Sequence, residues 1–276
     1  MAEYADRVFE NYLHPDVKKK YKITYDEDGK EIIDSAILSF EKMLKVAKDK
    51  IKSPKMMKKG LDIYIKKNNK NSKRTWTEQE YKHPGFQYHY LFYKSLQRYT
   101  EVYNLCVLAF NKGLIPNKKL IKVVALGGGP GFELLAFRDF LAKHQPHSKV
   151  TMITMDPVDW SEYSNAAGIK YIKYMIGDNI GFDFDVSILS YVAFAHVKTA
   201  DKVADIGSMF FKNNMKLLLI NSRVRNLYCC NKFIVFGYIL HFLHKSFDTR
   251  LAAVTLKDHE KGSKAYVKLP FHGIIY

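Results

Sequence analysis

An apolar run that leads into a cluster of glycines constrains this chain more than any other feature. The segment VVALGGGPGFELLAF occupies residues 123–137, and four of the five residues from Gly127 to Gly131 are glycine. The β-branched run before the glycines predicts a buried strand over 119–127, and the residues after them predict a helix. A glycine-rich turn between strand and helix lets the backbone approach a ligand closely, and the first amides of the helix favour anionic groups. The sequence therefore predicts a binding loop at the carboxyl edge of a sheet.

Strand-like and helix-like segments alternate after this loop. Strands are predicted at 149–156, 169–178, 185–192 and 215–222, and a helix at 199–214. This alternation is typical of βαβ units, in which helices cover both faces of a parallel sheet. Two further strand-like segments, TRLAAVTLKD and KAYVKLPFHGIIY, are joined by the short HEKGS, so we expect the last pair of strands to be antiparallel. The sequence predicts an α/β domain over residues 119–276.

Residues 1–118 predict a helical region instead. In 35–51, apolar residues recur at helical spacing, which places Ile37, Leu38, Phe40, Leu44, Val46 and Ala47 on one face. Ser35 is expected to cap that helix, and Thr77 with Glu80 has the spacing of a capping box. A long helix rich in tyrosine is predicted from Phe86 to Phe110.

The chain is strongly basic, with a formal net charge of +16. Residues 51–74 contain nine basic residues and one acidic residue, which indicates a basic surface suited to a polyanion such as RNA. The candidate contacts are Lys58, Lys59, Lys66 and Lys67. Two alternatives stay open: a solvated face with a flexible loop, and an A/T-rich genome that favours lysine codons throughout.

Cysteines and apolar runs limit the class of protein. Three cysteines, without zinc-type spacing, support neither a disulfide framework nor a metal site. The longest apolar run, 233–243, is well short of the roughly 20 residues that a membrane span needs. The charged start of the chain does not resemble a secretory signal. We expect an intracellular protein, cytoplasmic or nuclear, with no membrane or metal partner.

The order of the glycines narrows the choice of ligand. No Lys-Ser or Lys-Thr follows them, which excludes a phosphate-binding P-loop, and Phe132 stands where the dinucleotide fingerprint needs its third glycine. The observed pattern is Gly127-x-Gly129-x-Gly131. It resembles motif I of the class I S-adenosylmethionine-dependent methyltransferases, and the resemblance covers about residues 119–276.

This resemblance implies a Rossmann-like sheet of seven mostly parallel strands with an antiparallel last strand, and S-adenosylmethionine as cofactor. In this family an acidic residue after the second strand holds the ribose hydroxyls, and one after the third lies near the adenine; here these are Asp156 and Asp178. Trp160 or Pro157 would pack on the adenine. The implied cofactor contacts are Gly127, Gly128, Gly129, Gly131, Asp156, Pro157, Asp178, Asn179 and Ser190.

Other interpretations of the same residues stay open. The glycines also suit a structural turn without a ligand, or a site for another nucleotide. Asp156 also suits a helix cap, and Asp178 an ordinary turn residue.

The resemblance also places substrate-facing groups after the fourth strand, where Tyr191 and His196 are the catalytic candidates. Arg223 and Arg225 follow the fifth strand and suit a phosphate or carboxylate, or else a solvated loop. The Asp- or Asn-Pro-Pro-aromatic motif of enzymes that methylate nucleic-acid amines does not occur. The run GGGPGFELLAF is faintly similar to fungal ribosomal RNA uridine-N3 methyltransferases.

Together these features predict a methyltransferase that acts on ribosomal or transfer RNA, with residues 1–118 selecting the substrate and covering the cofactor. Two alternatives stay open. One is a methyltransferase for a protein or small molecule. The other is a methyltransferase-like subunit that has lost catalysis and serves in binding.

Overall fold

A computed structural model describes residues 27–66, 76–175, 178–190, 213, 215–223 and 271–275. The described helices are α1 (Glu27–Asp49), α2 (Pro54–Lys66), α3 (Glu78–Tyr81), α4 (Pro84–Asn111), α5 (Phe132–His144) and α6 (Ser161–Ala166). The described strands are β1 (Leu120–Leu126), β2 (Lys149–Asp156), β3 (Lys170–Lys173), β4 (Val186–Ser190), β5 (Leu217–Arg223) and β6 (Phe271–Ile275).

The six described strands form one sheet in the order β3-β2-β1-β4-β5-β6. The first five pair in parallel, and β6 pairs antiparallel with β5, where Asn221 faces Gly273. The chain first extends the sheet on one side of β1, through β2 and β3, and then crosses to the other side at β4. The carboxyl ends of β1 and β4 therefore border the point where the strand order reverses, which is where open α/β sheets bind ligands.

The central strands are apolar because both faces of the sheet are covered. Every residue of β4 is buried, as are Val123 to Leu126 in β1. Continuous burial of this kind is typical of parallel sheets between helices, and it explains why these strands lack an alternating pattern. The predicted strands at 149–156 and 215–222 agree with β2 and β5 to within two residues at each end.

Helix α4 is the long tyrosine-rich helix that the sequence predicts. His83 caps it by accepting a hydrogen bond from the amide of Phe86, and Pro84 occupies its first turn. The capping box predicted at Thr77 and Glu80 is confirmed at the start of α3, with both reciprocal hydrogen bonds present.

Two predictions for the first described helix are wrong. Ser35 does not cap α1, because the helix begins eight residues earlier; its hydroxyl instead accepts a hydrogen bond from Tyr99 in α4. Leu38 does not face the core and is 57% exposed, since the buried face of α1 is formed by its neighbours Ala36, Ile37 and Phe40.

The helices that precede β1 share their core with the sheet. One buried cluster joins Phe40 of α1, Tyr99 of α4 and Phe137 of α5 to Val123 and Ile188 of the sheet. The division of the chain at residue 118 stays a prediction. Among the described residues, no helix is both long enough and apolar enough to cross a membrane.

Several predicted elements lie outside the described residues. These are the helix at 199–214, apart from Asn213, the strand-like segment at 249–258, and the seventh strand that the resemblance implies.

Candidate functional site

The glycine loop joins β1 to α5 at the carboxyl edge of the sheet. Gly127, Gly129 and Gly131 all have positive φ angles, of 60°, 54° and 93°. Residues other than glycine rarely adopt such φ angles. The backbone path of the loop therefore explains why glycine occupies these three positions. The loop is anchored to β2, where the amide of Gly127 donates to the carbonyl of Met155 at 2.7 Å.

Gly128 is required for a different reason, namely close packing beneath the loop. A Cβ atom there would lie 2.5 Å from Cβ of Ala125 and 2.8 Å from Oγ1 of Thr154. The Thr154 hydroxyl also donates to the carbonyl of Gly129 at 2.9 Å. The loop is thus held on the sheet by its own backbone and by one buried hydroxyl.

Asp156 ends β2 directly beside this loop. One carboxylate oxygen accepts a hydrogen bond from the amide of Gly129 at 3.0 Å, and the other accepts from the amide of Val158 at 2.9 Å. Burial raises the pKa of Asp156 to about 6, against the lowering effect of the hydrogen bonds from Val158 and Gly129. A hydrogen bond from the Trp160 side chain also lowers this pKa, so the carboxylate accepts three hydrogen bonds, and about one of its roughly four lone-pair sites remains for a ligand hydroxyl. The structure thus brings together the predicted loop and the predicted ribose ligand.

Trp160 does not provide an open wall for an adenine, contrary to one of the sequence predictions. Its side chain is 1% exposed, and its ring packs against Tyr90 at 5.5 Å and Tyr163 at 5.8 Å between centroids. It supports the underside of Gly129, whose added Cβ would lie 3.6 Å from its Nε1. Pro157, the other candidate, is partly exposed.

Asp178 lies beyond the carboxyl end of β3, at the same edge of the sheet as Asp156. Asp156 pairs with Lys173 in the register of β2 and β3, and Asp178 follows five residues after Lys173. Its exposed carboxylate accepts a hydrogen bond from the amide of Met175 at 2.8 Å, which closes a local turn. Asn179 beside it is also exposed. This hydrogen bond supports the interpretation of Asp178 as a turn residue. Its role beside an adenine stays a prediction.

Of a polar cluster at the end of β4, only Ser190 was predicted from the sequence. Ser190, the last residue of β4, accepts a hydrogen bond from Arg98 of α4 at 3.4 Å. Arg98 also lies 4.0 Å from the carboxylate of Glu101, which accepts from Gln97 at 2.7 Å. Arg98 and Glu101 precede the glycine loop by about 30 residues, and no local motif marks them.

Glu133 completes this cluster from the first turn of α5, two residues after Gly131. Its side chain is 4% exposed, and in the described part of the chain its Oε2 atom has no hydrogen-bond partner. Burial raises the pKa of Glu133 to about 7, although the Arg98 guanidinium and a hydrogen bond with Ser190 lower it. We name Arg98, Glu101, Glu133 and Ser190 the β4-edge cluster.

Tyr90 of α4 lies near both this cluster and Asp156, since Arg98, Glu133 and Asp156 all act on its hydroxyl. The ring of Tyr90 packs on Phe132 and on Trp160, at 6.4 and 5.5 Å between centroids. The pKa of the Tyr90 hydroxyl is raised because the effect of burial exceeds the opposing effect of the nearby Arg98 guanidinium. Farther along α4, Tyr99 and Tyr103 are buried in the core.

The basic candidates lie on two elements, α2 and the carboxyl end of β5. Lys58, Lys59 and Lys66 are exposed on α2, and Arg223 ends β5 opposite Phe271. Tyr191, His196, Lys67 and Arg225 lie outside the described residues. Within the described ranges, no group of three or more His, Cys, Asp or Glu side chains is arranged to hold a metal ion.

Comparison by sequence gives no match, either with a protein-family model or with a curated protein. Comparison by structure gives weak overlaps with solved methyltransferases. The plantazolicin methyltransferase BpumL in complex with SAH overlaps with a TM-score of 0.43 and 10% identity, over 80% of this chain and 96% of that one.

Two other S-adenosylmethionine-dependent methyltransferases overlap less. For the one from Mesorhizobium loti the TM-score is 0.36, with 13% identity over 59% of this chain and 94% of that one. For the one from Clostridium acetobutylicum it is 0.36, with 14% identity over 50% of this chain and only 56% of that one. Similarity at this level assigns neither an activity nor a ligand to this chain.

Proposed function

We propose that this chain is an S-adenosylmethionine-dependent methyltransferase. The observation that carries the proposal is the contact between Asp156, at the end of β2, and Gly129, in the loop after β1, next to the point where the strand order reverses. It places a carboxylate acceptor and a glycine-rich turn side by side at the carboxyl edge of the sheet. In a nucleoside with an amino-acid tail, the ribose diol can donate hydrogen bonds to the carboxylate, and the amino-acid tail can lie along the glycine-rich turn.

Each part of the site has a role in this proposal. Asp156 would accept hydrogen bonds from the ribose hydroxyls, and the backbone of Gly127–Gly131 would contact the methionine part. Asp178, Asn179 and Pro157 would border the adenine, and Ser190 would lie at the methyl end. Tyr191 and His196 stay predicted catalytic groups, and the seventh strand stays a prediction. When bound, the cofactor supplies a methyl group already activated on a sulfonium, so the chain contributes mainly positioning.

RNA is the first candidate substrate, and the exposed lysines of α2 support it. Lys55, Lys58, Lys59 and Lys66 share this 13-residue helix with a single acidic residue, Asp62. Such a surface would contact phosphates, and the affinity should fall linearly with the logarithm of salt concentration. The faint resemblance to uridine-N3 enzymes stays a prediction within this candidate.

Charge reversal on α2 tests the RNA candidate. In fluorescence-anisotropy titrations against transfer RNA, the double variant Lys58→Glu/Lys59→Glu should bind more weakly, with a salt slope reduced by about 1–2. Lys112→Glu, at the far end of α4, is the matched control and should bind as wild type does. Salt-independent binding, or an equal loss in the control, would remove RNA as the substrate of this surface.

A protein or small-molecule substrate is the second candidate. The β4-edge cluster supports it, because a buried carboxylate with an unfilled acceptor suits a small cationic group.

Incubation with radiolabelled S-adenosylmethionine and separate RNA, protein and metabolite fractions tests both candidates at once. Label in one fraction identifies the substrate class. If the chain binds S-adenosylhomocysteine but labels no fraction, the non-catalytic alternative is favoured.

A further inference from the structure

Glu133 is a buried carboxylate beside the glycine loop. In the described part of the chain, one of its two oxygens has no hydrogen-bond donor. It belongs to the first turn of α5 and is 4% exposed, yet its Oε2 accepts no hydrogen bond there. A buried acceptor without a partner is destabilising, and more so when the group is charged. Two buried hydroxyls in the described ranges, of Ser95 and Ser187, are also unpartnered, but they are neutral and carry a much smaller penalty.

The named side chains of the β4-edge cluster carry more negative than positive charge when both glutamates are ionised. Arg98 provides one positive charge, and Glu101 and Glu133 provide two carboxylates. Arg98 is shared, since it contacts Ser190 at 3.4 Å and lies 4.0 Å from Glu101. The cluster, counted over these described side chains, sums to one negative charge. Its chemistry therefore suits a cation that can also donate a hydrogen bond to Oε2.

An alkylammonium group meets both requirements, since it carries one positive charge and three N–H donors. We propose that Glu133 binds the protonated amine of the methyl-acceptor substrate and takes its proton before transfer, so that the substrate class is a primary or secondary amine. This inference rests on the proposed methyltransferase function and favours its second candidate, a protein or small-molecule substrate, because the bases and sugars of RNA carry no alkylammonium group.

The carboxylate of Glu133 removes one proton from the ammonium, and the freed nitrogen lone pair forms the bond to the methyl carbon. The bond between that carbon and sulfur breaks with its electron pair on sulfur, which leaves a neutral thioether. The product is a methylated ammonium, and the proton on Glu133 passes to solvent.

The surroundings of Glu133 suit this role. Burial raises its pKa to about 7, within reach of an amine whose own pKa is lowered on leaving water. The charged or titratable groups that act on the cluster are Arg98, Glu101 and Tyr90 from α4, and Ser190 of β4 donates the neighbouring hydrogen bond. None of these groups supplies the missing positive charge, because Arg98 is shared and Tyr90, whose pKa is raised by burial, stays neutral.

Binding of benzylammonium to the full chain saturated with S-adenosylhomocysteine tests the inference. By calorimetry at about pH 8, Glu133→Gln should weaken benzylammonium binding by at least about tenfold, because it removes a charge-assisted hydrogen bond. Benzyl alcohol, which has the same shape without the charge, should bind weakly and equally to both proteins. Asp139→Asn is the control for a lost carboxylate on α5. It should leave benzylammonium affinity unchanged, because Asp139 bonds instead to Tyr99 and Arg138.

A second readout does not depend on the stability of the variant. The carboxyl carbon of Glu133, followed by NMR in wild-type protein, should titrate at a pKa lower by about one unit or more when benzylammonium is added. Benzyl alcohol should leave that pKa unchanged.

Three results would overturn the inference. They are no effect of Glu133→Gln on benzylammonium binding, no change in the pKa of Glu133, and a tenfold loss of S-adenosylhomocysteine affinity in Glu133→Gln. The last result would mean that Glu133 binds the ammonium of the cofactor instead. If wild-type protein does not bind S-adenosylhomocysteine at all, the proposed function itself fails, so the two failures are distinguishable.

Discussion

At the scale of single residues, two carboxylates with raised pKa values distinguish the carboxyl edge of the sheet within the described part of the chain. Burial raises the pKa of Asp156 to about 6 and that of Glu133 to about 7. Asp156 is held by two backbone amides, whereas Glu133 has an oxygen without a partner in the described chain. Perturbed carboxylates of this kind concentrate at functional sites.

The raised pKa of Glu133 predicts a dependence of stability on pH. Its folded-state pKa, about 7, lies above the ordinary value of 4.5, so its contribution to stability is full below about pH 4.5 and is lost as the pH rises through 7. The glutamine in the Glu133→Gln variant cannot ionise, so the variant does not lose this stability as the pH rises. Between about pH 4.5 and pH 8, the free energy of unfolding of the variant should therefore gain about 2–3 kcal/mol relative to wild type.

Urea denaturation at several pH values measures this difference. Asp139→Asn is again the control. The prediction is contradicted if the difference in free energy of unfolding between Glu133→Gln and wild type stays constant with pH. That result would mean that folding does not raise the pKa of Glu133.

At the scale of elements, the sequence predicts helices and strands well where a periodic pattern sets them. The limits of α4 and β2, and the capping box of α3, follow from apolar spacing and from capping residues. Contacts between elements carry no such signal. Ser35 has the composition of a cap, yet it lies inside α1, because the helix begins earlier than the periodic apolar face.

The crossing of α2 and α4 is a contact that no sequence pattern predicted. The two helices meet at Gly60 and Gly85, where an added Cβ on Gly85 would lie 2.2 Å from the carbonyl oxygen of Met56. Because that neighbour is backbone, it cannot turn aside as a flexible side chain would.

Gly85→Ala should therefore lower the free energy of unfolding by about 1–3 kcal/mol, through overpacking, although alanine normally favours a helix. Chemical denaturation measures the effect. Gly181→Ala is the matched control, since an added Cβ there meets nothing within 4 Å. Equal stability of Gly85→Ala and wild type would mean that α2 moves away from α4 at little cost.

At the scale of the whole molecule, the site consists of two halves that differ in how far the sequence reveals them. The glycine loop and Asp156 are close in the chain and lie at adjacent strand ends, so motif spacing predicts that they meet. Arg98 and Glu101 come from a helix that precedes the sheet and reach the end of β4 only through tertiary packing. Glu133 was within the quoted motif, but its burial and its missing partner are visible only in three dimensions.

We propose above that the edge of the sheet beside Asp156 binds the adenosine part of S-adenosylmethionine. Calorimetric titration of the full chain with S-adenosylhomocysteine tests it most directly, with Asp156→Asn as the variant and the exposed Asp159→Asn as the control. We expect wild type and Asp159→Asn to bind with similar affinity and Asp156→Asn to bind at least about tenfold more weakly, a loss of about 1.4 kcal/mol or more. Absence of binding to wild type, or equal affinity of Asp156→Asn and wild type, would contradict the claim.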